Sequence, residues 1–157
     1  PQTAFFGTDV DATSVGWCQK HLKASACTNM SVPPLPFAGG IFDFVYAISV
    51  FTHLDEELQQ AWLVEMHRVL RPGGVLLVTV HGAGAQQGLN ERDAGILRTH
   101  GLLVKRSSKL RGIHPEWYQT TFHTEEYVRR RFSGLFTLCA YNQRGLGYQD
   151  VVILQRE

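Results

Sequence analysis

The chain has 157 residues, of which 44% are hydrophobic and 18% charged, and its formal net charge is +1. This length and composition fit one folded domain with a sizeable core and exclude a disordered chain. The longest apolar runs are far too short to cross a bilayer, so no membrane contact is expected. The three cysteines lack CxxC spacing, which argues against zinc or a disulfide framework and fits a reducing cytoplasm.

The first half of the chain alternates between strand and helix patterns. Asp11, Thr13 or Ser14 could cap the first helix. Three prolines near position 34 exclude regular structure there. In chain order, we predict a strand over Ala4–Val10, a helix over Thr13–Leu22, a weak strand near Ala24–Asn29 and a buried strand over Phe42–Val50.

The second half continues this alternation and ends in two strands. A helix that begins at Asp55 should stop sharply at Arg71–Gly74, because proline cannot continue a helix and the paired glycines permit a reversal. Lys105–His123 has no clean periodicity. The remaining elements are a strand over Val75–His81, helices over Leu89–His100 and Thr124–Phe132, and an antiparallel pair over Phe136–Tyr141 and Tyr148–Leu154. This order predicts an open α/β sheet with helices on both faces and an antiparallel C-terminal hairpin.

Three segments, in this order, carry a family resemblance. They are Phe6–Asp11 (FGTDVD), Pro34–Tyr46 (PLPFAGGIFDFVY) and Leu70–Leu77 (LRPGGVLL), with the helix from Asp55 between the last two. The set resembles the class I S-adenosylmethionine-dependent methyltransferases, in particular a methyltransferase type 11/25-like domain. The resemblance implies a Rossmann-like fold and S-adenosylmethionine as cofactor.

The resemblance also implies where the cofactor binds. Asp9 matches the acid at the end of the family's second strand, which accepts hydrogen bonds from the ribose hydroxyls, and Val10 follows it. Asn29 and Met30 occupy the adenine position, where the family usually has an acid. Ser49 and His53, at the end of the next strand, should face the methionine part of the cofactor.

The methyl acceptor is expected to be a small molecule. His81 and His123 are the candidate bases, and His114, Trp117 and Tyr118 are candidates for contacting the acceptor, since aromatic and histidine side chains suit a pocket wall. The stretch from Arg98 to Arg131 contains eight basic residues and only three acidic ones. This excess of positive charge could attract an anionic acceptor. Such a run of basic residues is more often a solvated face, and no nucleic-acid partner is expected.

One feature departs from the family. The Gly-rich cofactor loop and the strand before it precede the ribose-binding acid in the family, whereas eight residues precede Asp9 here. We therefore interpret the chain as a single partial domain over 1–157, without the family's central first strand. Its regions are 1–82 on the cofactor side, 83–135 as substrate cap and helical region, and 136–157 as the final strands. The missing strand leaves sheet edges unpaired, which a longer gene product, self-association or a shift of strand 2 would resolve.

The sequence thus predicts S-adenosylmethionine-dependent methyl transfer to an unidentified acceptor, with the activity of the chain as it stands left open. The alternative is an incomplete or degenerate domain that binds no cofactor and has a structural or interaction role. A nicotinamide-binding or nucleotide-sugar Rossmann domain would share the strand-end acid, but it does not predict the second and third segments. RNA methylation would depend on the basic stretch and on salt-sensitive binding.

Overall fold

The computed structural model describes residues 3–106 and 118–157, which form two compact units, Pro1–Phe37 and Ala38–Glu157. The first unit contains strand β1 (Phe6–Asp9), helix α1 (Ala12–His21) and strand β2 (Ser25–Thr28). β1 and β2 pair in parallel, as a strand–helix–strand connection requires. The side chain of Asp11 caps α1 by accepting hydrogen bonds from the backbone N–H groups of Thr13 and Ser14, which confirms one predicted cap.

The second unit contains the larger sheet. Its helices are α2 (Glu56–Val69), α3 (Glu91–His100) and α4 (Glu125–Phe132), with short 3₁₀ turns at Phe51–His53 and Ala83–Gly88. Its strands are β3 (Phe42–Ala47), β4 (Leu70–Val80), β5 (Leu102–Lys105), β6 (Thr120–His123), β7 (Thr137–Leu146) and β8 (Gln149–Gln155).

Four of these strands form one sheet in the order β3-β4-β8-β7. β3 and β4 are parallel, while β8 runs antiparallel to both β4 and β7. The predicted α/β class and the antiparallel C-terminal hairpin are therefore confirmed. The buried core draws its side chains from β4, β8, α2 and α4, among them Leu63, Val69, Leu76, Val78, Val128, Phe132, Val152 and Leu154.

The predicted irregular stretch Lys105–His123 was wrong at both ends. β5 and β6 pair antiparallel as a separate two-stranded sheet, with Leu102 opposite His123 and Lys105 opposite Thr120. Each strand has only four residues, too few for an alternating pattern to stand out from the sequence. The hydrogen-bonded pairing of β5 with β6 therefore stabilises two strands that the periodicity of the sequence does not predict.

β4 begins five residues earlier than the glycine-rich stop predicts. The stop itself is correct, since α2 ends at Val69, but the chain enters the sheet at Leu70 rather than Val75. The Gly73 N–H donates to the carbonyl of Arg156 at 2.8 Å, and the Arg156 N–H donates to the carbonyl of Gly74 at 2.9 Å. Tertiary hydrogen bonds to the chain end thus extend the strand through residues whose local signal is a turn.

Two strand edges carry exposed apolar surface. Among the described strands, β1 pairs only with β2 and β3 pairs only with β4. Phe44 and Tyr46 point to the same face of β3 and expose 52% and 63% of their surfaces, and Ile48, just beyond the strand, is also exposed. An apolar strand of this kind is typical of a sheet interior, so its exposure here is unusual. Over the described ranges, no helix combines the length and apolar character needed to cross a membrane.

Candidate functional site

Four aromatic side chains from distant parts of the chain meet at the edge where β3 and β4 end. Parallel strands place their carboxyl ends at the same edge, which is where open α/β sheets bind ligands. β8 begins at that edge because it runs antiparallel to β4, with Val80 opposite Asp150. We name the group the aromatic cluster, which consists of His53, His81, Tyr118 and Tyr148.

The rings of the aromatic cluster lie close enough to influence one another. His53 stacks on Tyr118, with ring centroids 4.1 Å apart, and its ring is nearly perpendicular to that of His81 at 6.2 Å. The His81 ring also lies 5.7 Å from Tyr148 and 5.4 Å from Phe122. Tyr148 still exposes 60% of its surface, so the cluster is open on that side.

His81 has a free, unprotonated ring nitrogen. Its Nδ1 lies 3.2 Å from the carbonyl oxygen of Thr121, which can only accept, so Nδ1 carries the proton and Nε2 carries the lone pair. Burial, followed by the nearby His53, lowers the pKa of His81 despite the opposing bond to Thr121. Nε2 bonds to no described residue. His81 is therefore neutral near pH 7, and Nε2 is its basic nitrogen.

His53 and Tyr118 form a hydrogen-bonded pair. His53 Nδ1 donates to the carbonyl of Gln119 at 2.8 Å, so in the neutral ring Nε2 accepts from the Tyr118 hydroxyl at 3.0 Å. The Gln119 N–H donates in return to the His53 carbonyl at 3.1 Å, which fixes the two segments together. Burial, and then the neighbouring Tyr148, raise the pKa of Tyr118, so its phenol stays protonated.

Ser49 turns the chain as it leaves β3. Its φ of 58° is left-handed, a conformation that residues other than glycine seldom adopt. Two hydrogen bonds hold it there: its N–H donates to Thr79 Oγ1 at 2.8 Å, and its Oγ accepts from Gln149 Nε2 at 2.6 Å. Strained backbone of this kind tends to occur at functional sites.

His123, the second predicted base, has no exposed surface. Its Nε2 lies 3.1 Å from Gln59 Oε1, and burial lowers its pKa to about 3, with a smaller contribution from His81. The His123 N–H also donates to the His81 carbonyl at 2.9 Å. The geometry therefore makes His123 a neutral support beneath the backbone of His81.

The predicted cofactor residues of the first unit lie at the ends of its two strands. Asp9 ends β1, and one of its carboxylate oxygens accepts from the Asp11 N–H at 2.8 Å. Asn29 follows β2, and its N–H donates to the Asp9 carbonyl at 3.0 Å. Val10 and Met30 are both exposed, Met30 by 72%. The parallel pairing of β1 with β2 thus brings these four residues to one edge of the small sheet.

Of the predicted acceptor-binding residues, Tyr118 lies in the aromatic cluster, whereas His114 and Trp117 fall outside the described residues. Two contributors were missed from the sequence, Tyr148 and Gln149, because their position depends on the register of β8 against β4 and no local motif marks it. Within the described ranges, no group of three or more His, Cys, Asp or Glu side chains is arranged to hold a metal ion.

Comparison with known families gives one match, in the N-terminal part of the chain. Residues 3–78 match the family described as "Methyltransferase domain". This segment contains all three strings that carry the resemblance in the sequence, together with Asp9, Asn29, Ser49 and His53.

Solved structures extend the likeness to nearly the whole chain. A SAM-dependent methyltransferase from Methanosarcina mazei is 17% identical with a TM-score of 0.69, over 98% of this chain and 82% of that one. The 1,6-didemethyltoxoflavin-N1-methyltransferase of Burkholderia thailandensis, solved with its substrate and S-adenosylhomocysteine, is 12% identical with a TM-score of 0.66, over 96% and 60%. The N-methyltransferase NodS from Bradyrhizobium japonicum, solved with S-adenosylhomocysteine, is 14% identical with a TM-score of 0.58, over 98% and 66%.

These likenesses confirm the predicted Rossmann-like fold, and two of the similar structures are methyltransferases that contain bound S-adenosylhomocysteine. Residues 3–78 thus match the methyltransferase domain family, and the chain has the fold of the class I S-adenosylmethionine-dependent methyltransferases.

Proposed function

We propose that the protein transfers a methyl group from S-adenosylmethionine to a small-molecule acceptor. The observation that carries this proposal is the neutral His81, whose Nε2 is free at the carboxyl ends of β3 and β4. Ligands bind at this edge in open α/β folds, and a neutral imidazole is the side chain best suited to take up a proton near pH 7. The family match supports the identity of the methyl donor.

The residues of the first unit fit the adenosine part of the cofactor. One oxygen of Asp9 accepts from the Asp11 N–H, and its second oxygen has no hydrogen bond to a described residue, so a ribose hydroxyl can donate to it. Asn29 offers its side-chain carbonyl oxygen to the adenine edge. Met30 exposes a flexible, polarisable side chain of the kind that packs on rings, and Val10 adds apolar surface.

The residues of the second unit fit different roles. Ser49 accepts a hydrogen bond from Gln149 through Oγ, which leaves its own hydroxyl proton for a ligand such as the methionine carboxylate. Both ring nitrogens of His53 are already bonded, to Gln119 and Tyr118. We therefore propose that His53 is a positioning residue that holds the Tyr118 ring against the acceptor.

When bound, S-adenosylmethionine supplies a methyl group already activated on a sulfonium, so the protein chiefly positions the acceptor and removes its proton where one must leave. His81 is the proposed proton acceptor, since its Nε2 carries the lone pair and bonds to no described residue. His123 is proposed as its buried support. His114 and Trp117 remain proposed contacts to the acceptor, beside Tyr118.

Calorimetric titration with S-adenosylhomocysteine tests the proposed function. We expect the protein to bind it and Asp9→Asn to weaken binding by roughly tenfold or more, because charge-assisted hydrogen bonds contribute about 1.5–3 kcal/mol. Asp43→Asn is the matched control, since Asp43 is an exposed aspartate that pairs with Arg71. The absence of binding by the wild-type protein would contradict the proposal.

A second candidate function is supported by the exposed apolar side of β3. Phe44, Tyr46 and Ile48 present a row of apolar side chains beside an edge that has no partner among the described strands. Such a surface favours association, so an incomplete domain that serves in interaction, with itself or another chain, is the alternative. Titration with S-adenosylhomocysteine separates the two functions, because the alternative predicts no cofactor binding.

A further inference from the structure

We infer that the methyl acceptor is a planar ring bearing a phenolic or enolic hydroxyl, and that this hydroxyl is delivered to Nε2 of His81 within the aromatic cluster. The inference rests on the proposed function and deepens it by naming the class of acceptor. Two features of the cluster carry it: the protonation state of His81 and the exposed ring beside it.

The first feature is a base of limited strength. His81 donates Nδ1–H to the Thr121 carbonyl and keeps its lone pair on Nε2, while burial and His53 lower its pKa. Such a ring accepts a proton efficiently only from a fairly acidic donor. A phenol, with a pKa of about 10, meets this need. A hydroxyl as weakly acidic as that of water, with a pKa of about 15.7, does not.

The second feature is a stacking surface. The Tyr148 ring lies 5.7 Å from the His81 ring at an angle of 28°, yet 60% of Tyr148 remains exposed. Tyr118 is half-buried, and burial, followed by the neighbouring Tyr148, raises the pKa of its hydroxyl. Aromatic rings prefer offset-stacked or edge-to-face contacts with other rings. A planar acceptor that packs on Tyr148 would therefore bring a ring hydroxyl beside His81.

The proton transfer balances within these groups. The O–H bond of the acceptor breaks, its proton bonds to the Nε2 lone pair, and His81 becomes an imidazolium. The electron pair of that bond stays on oxygen, which becomes the nucleophile for the methyl group that the cofactor supplies. The imidazolium then releases its proton to solvent, because its lowered pKa disfavours the charged form.

Fluorescence titration with 7-hydroxycoumarin, in the absence of cofactor, tests the inference on the whole protein. 7-Methoxycoumarin has the same ring system without the hydroxyl proton, and cyclohexanol has a hydroxyl without the planar ring; cyclohexanol is tested by competition. We expect 7-hydroxycoumarin to bind roughly tenfold more tightly than either, the size of one good hydrogen bond.

Two variants locate the effect. His81→Asn keeps an N–H donor near the position of Nδ1 but has no counterpart of Nε2, so the preference for the hydroxyl should disappear. His100→Asn alters an exposed histidine outside the aromatic cluster and should leave the preference unchanged. Should His81→Asn unfold, the ¹⁵N resonance of Nε2 in the wild-type protein gives the same answer. It should shift on addition of 7-hydroxycoumarin but not of 7-methoxycoumarin.

Equal binding of the two coumarins by the wild-type protein would overturn the inference, as would a preference that survives His81→Asn. Failure of this inference is distinguishable from failure of the proposed function. A protein that binds S-adenosylhomocysteine but shows no hydroxyl preference retains the function and loses only the acceptor class. A protein that binds neither the cofactor nor the coumarins loses both.

Discussion

His123 donates its Nε2–H to Oε1 of Gln59 across 3.1 Å, and this bond fixes the protonation state of a fully buried ring. The Gln59 amide cannot be reversed, because its Nε2 already donates to the carbonyls of Phe51 and Leu54. His123 Nδ1 is therefore unprotonated, and it has no hydrogen-bond partner in the part of the chain that is described. The pair ties α2 to β6 directly beneath His81.

This burial predicts a loss of stability in acid. In the folded protein the pKa of His123 is lowered from 6.5 to about 3. Between pH 6.5 and pH 3, therefore, the unfolded chain binds a proton at this histidine that the folded chain does not bind. The neutral His123 should contribute its whole stabilisation above pH 6.5. Below pH 6.5 the free energy of unfolding should fall by up to about 1.4 kcal/mol per pH unit, until pH 3 is reached. Urea unfolding from pH 7 to pH 4 measures this slope. His123→Gln should reduce it, whereas His100→Gln should not; equal slopes in the wild type and His123→Gln would contradict the assignment.

Gly82 should not tolerate a side chain. A Cβ there would lie 1.6 Å from Asp150 Oδ2 and 2.8 Å from the Tyr141 hydroxyl, which donates to that carboxylate at 2.7 Å. Gly82→Ala must displace this buried pair, so we expect a loss of about 1–3 kcal/mol in the free energy of unfolding. Gly88→Ala is the matched control, since nothing lies within 4 Å of its Cβ position. Urea denaturation compares the two, and similar stabilities would show that the contact is absent.

Tyr118→Phe should change the environment of one histidine nitrogen. The variant keeps the ring that stacks on His53 but removes the hydroxyl that donates to its Nε2. We expect a long-range ¹H–¹⁵N spectrum to show the His53 Nε2 resonance moving toward the position of an unbonded imidazole nitrogen, while Nδ1 stays protonated by its bond to Gln119. The Nε2 resonance of His81 is the internal control. An unchanged His53 spectrum would mean that the bond does not form in solution.

The exposed side of β3 should limit solubility. Tyr46→Lys places a charge in the apolar row beside the free edge, and charged edge residues suppress strand-to-strand association. We expect the variant to stay monomeric at concentrations where the wild type associates, as measured by sedimentation velocity. Val64→Lys on α2 replaces a side chain that is 51% exposed outside the sheet and serves as the control. Association that both variants retain would place the contact elsewhere.

Much of the fold could be predicted because local signals and tertiary structure agree. Asp11 and Asp55 each precede a helix and cap it through the side chain, as short acidic residues do. The apolar run from Phe42 forms a strand, although it ends at Ala47, three residues before the predicted end. Ser49 and the 3₁₀ turn after it account for this difference, since they turn the chain toward the sheet edge.

The candidate site was predicted only in part because its geometry depends on register. His53 and His81 stand at strand ends, which the sequence indicates, but the contact of His81 with Tyr148 requires β8 to pair with β4 at one register. His81 and His123 both stand at strand ends, but their Nε2 atoms have different partners. No described residue bonds to Nε2 of His81, whereas Nε2 of His123 donates to Gln59.

An amide-resolved titration of the ¹⁵N-labelled protein with S-adenosylhomocysteine tests the proposed methyltransferase function most directly, because it reports both binding and its location. The proposed cofactor residues predict concentration-dependent shifts at the amides of Asp9, Val10, Asn29, Met30 and Ser49. Amides of β7, such as that of Cys139, are the internal reference and should not move. Shifts absent from these five residues at saturating ligand would contradict the proposed function and leave only the fold.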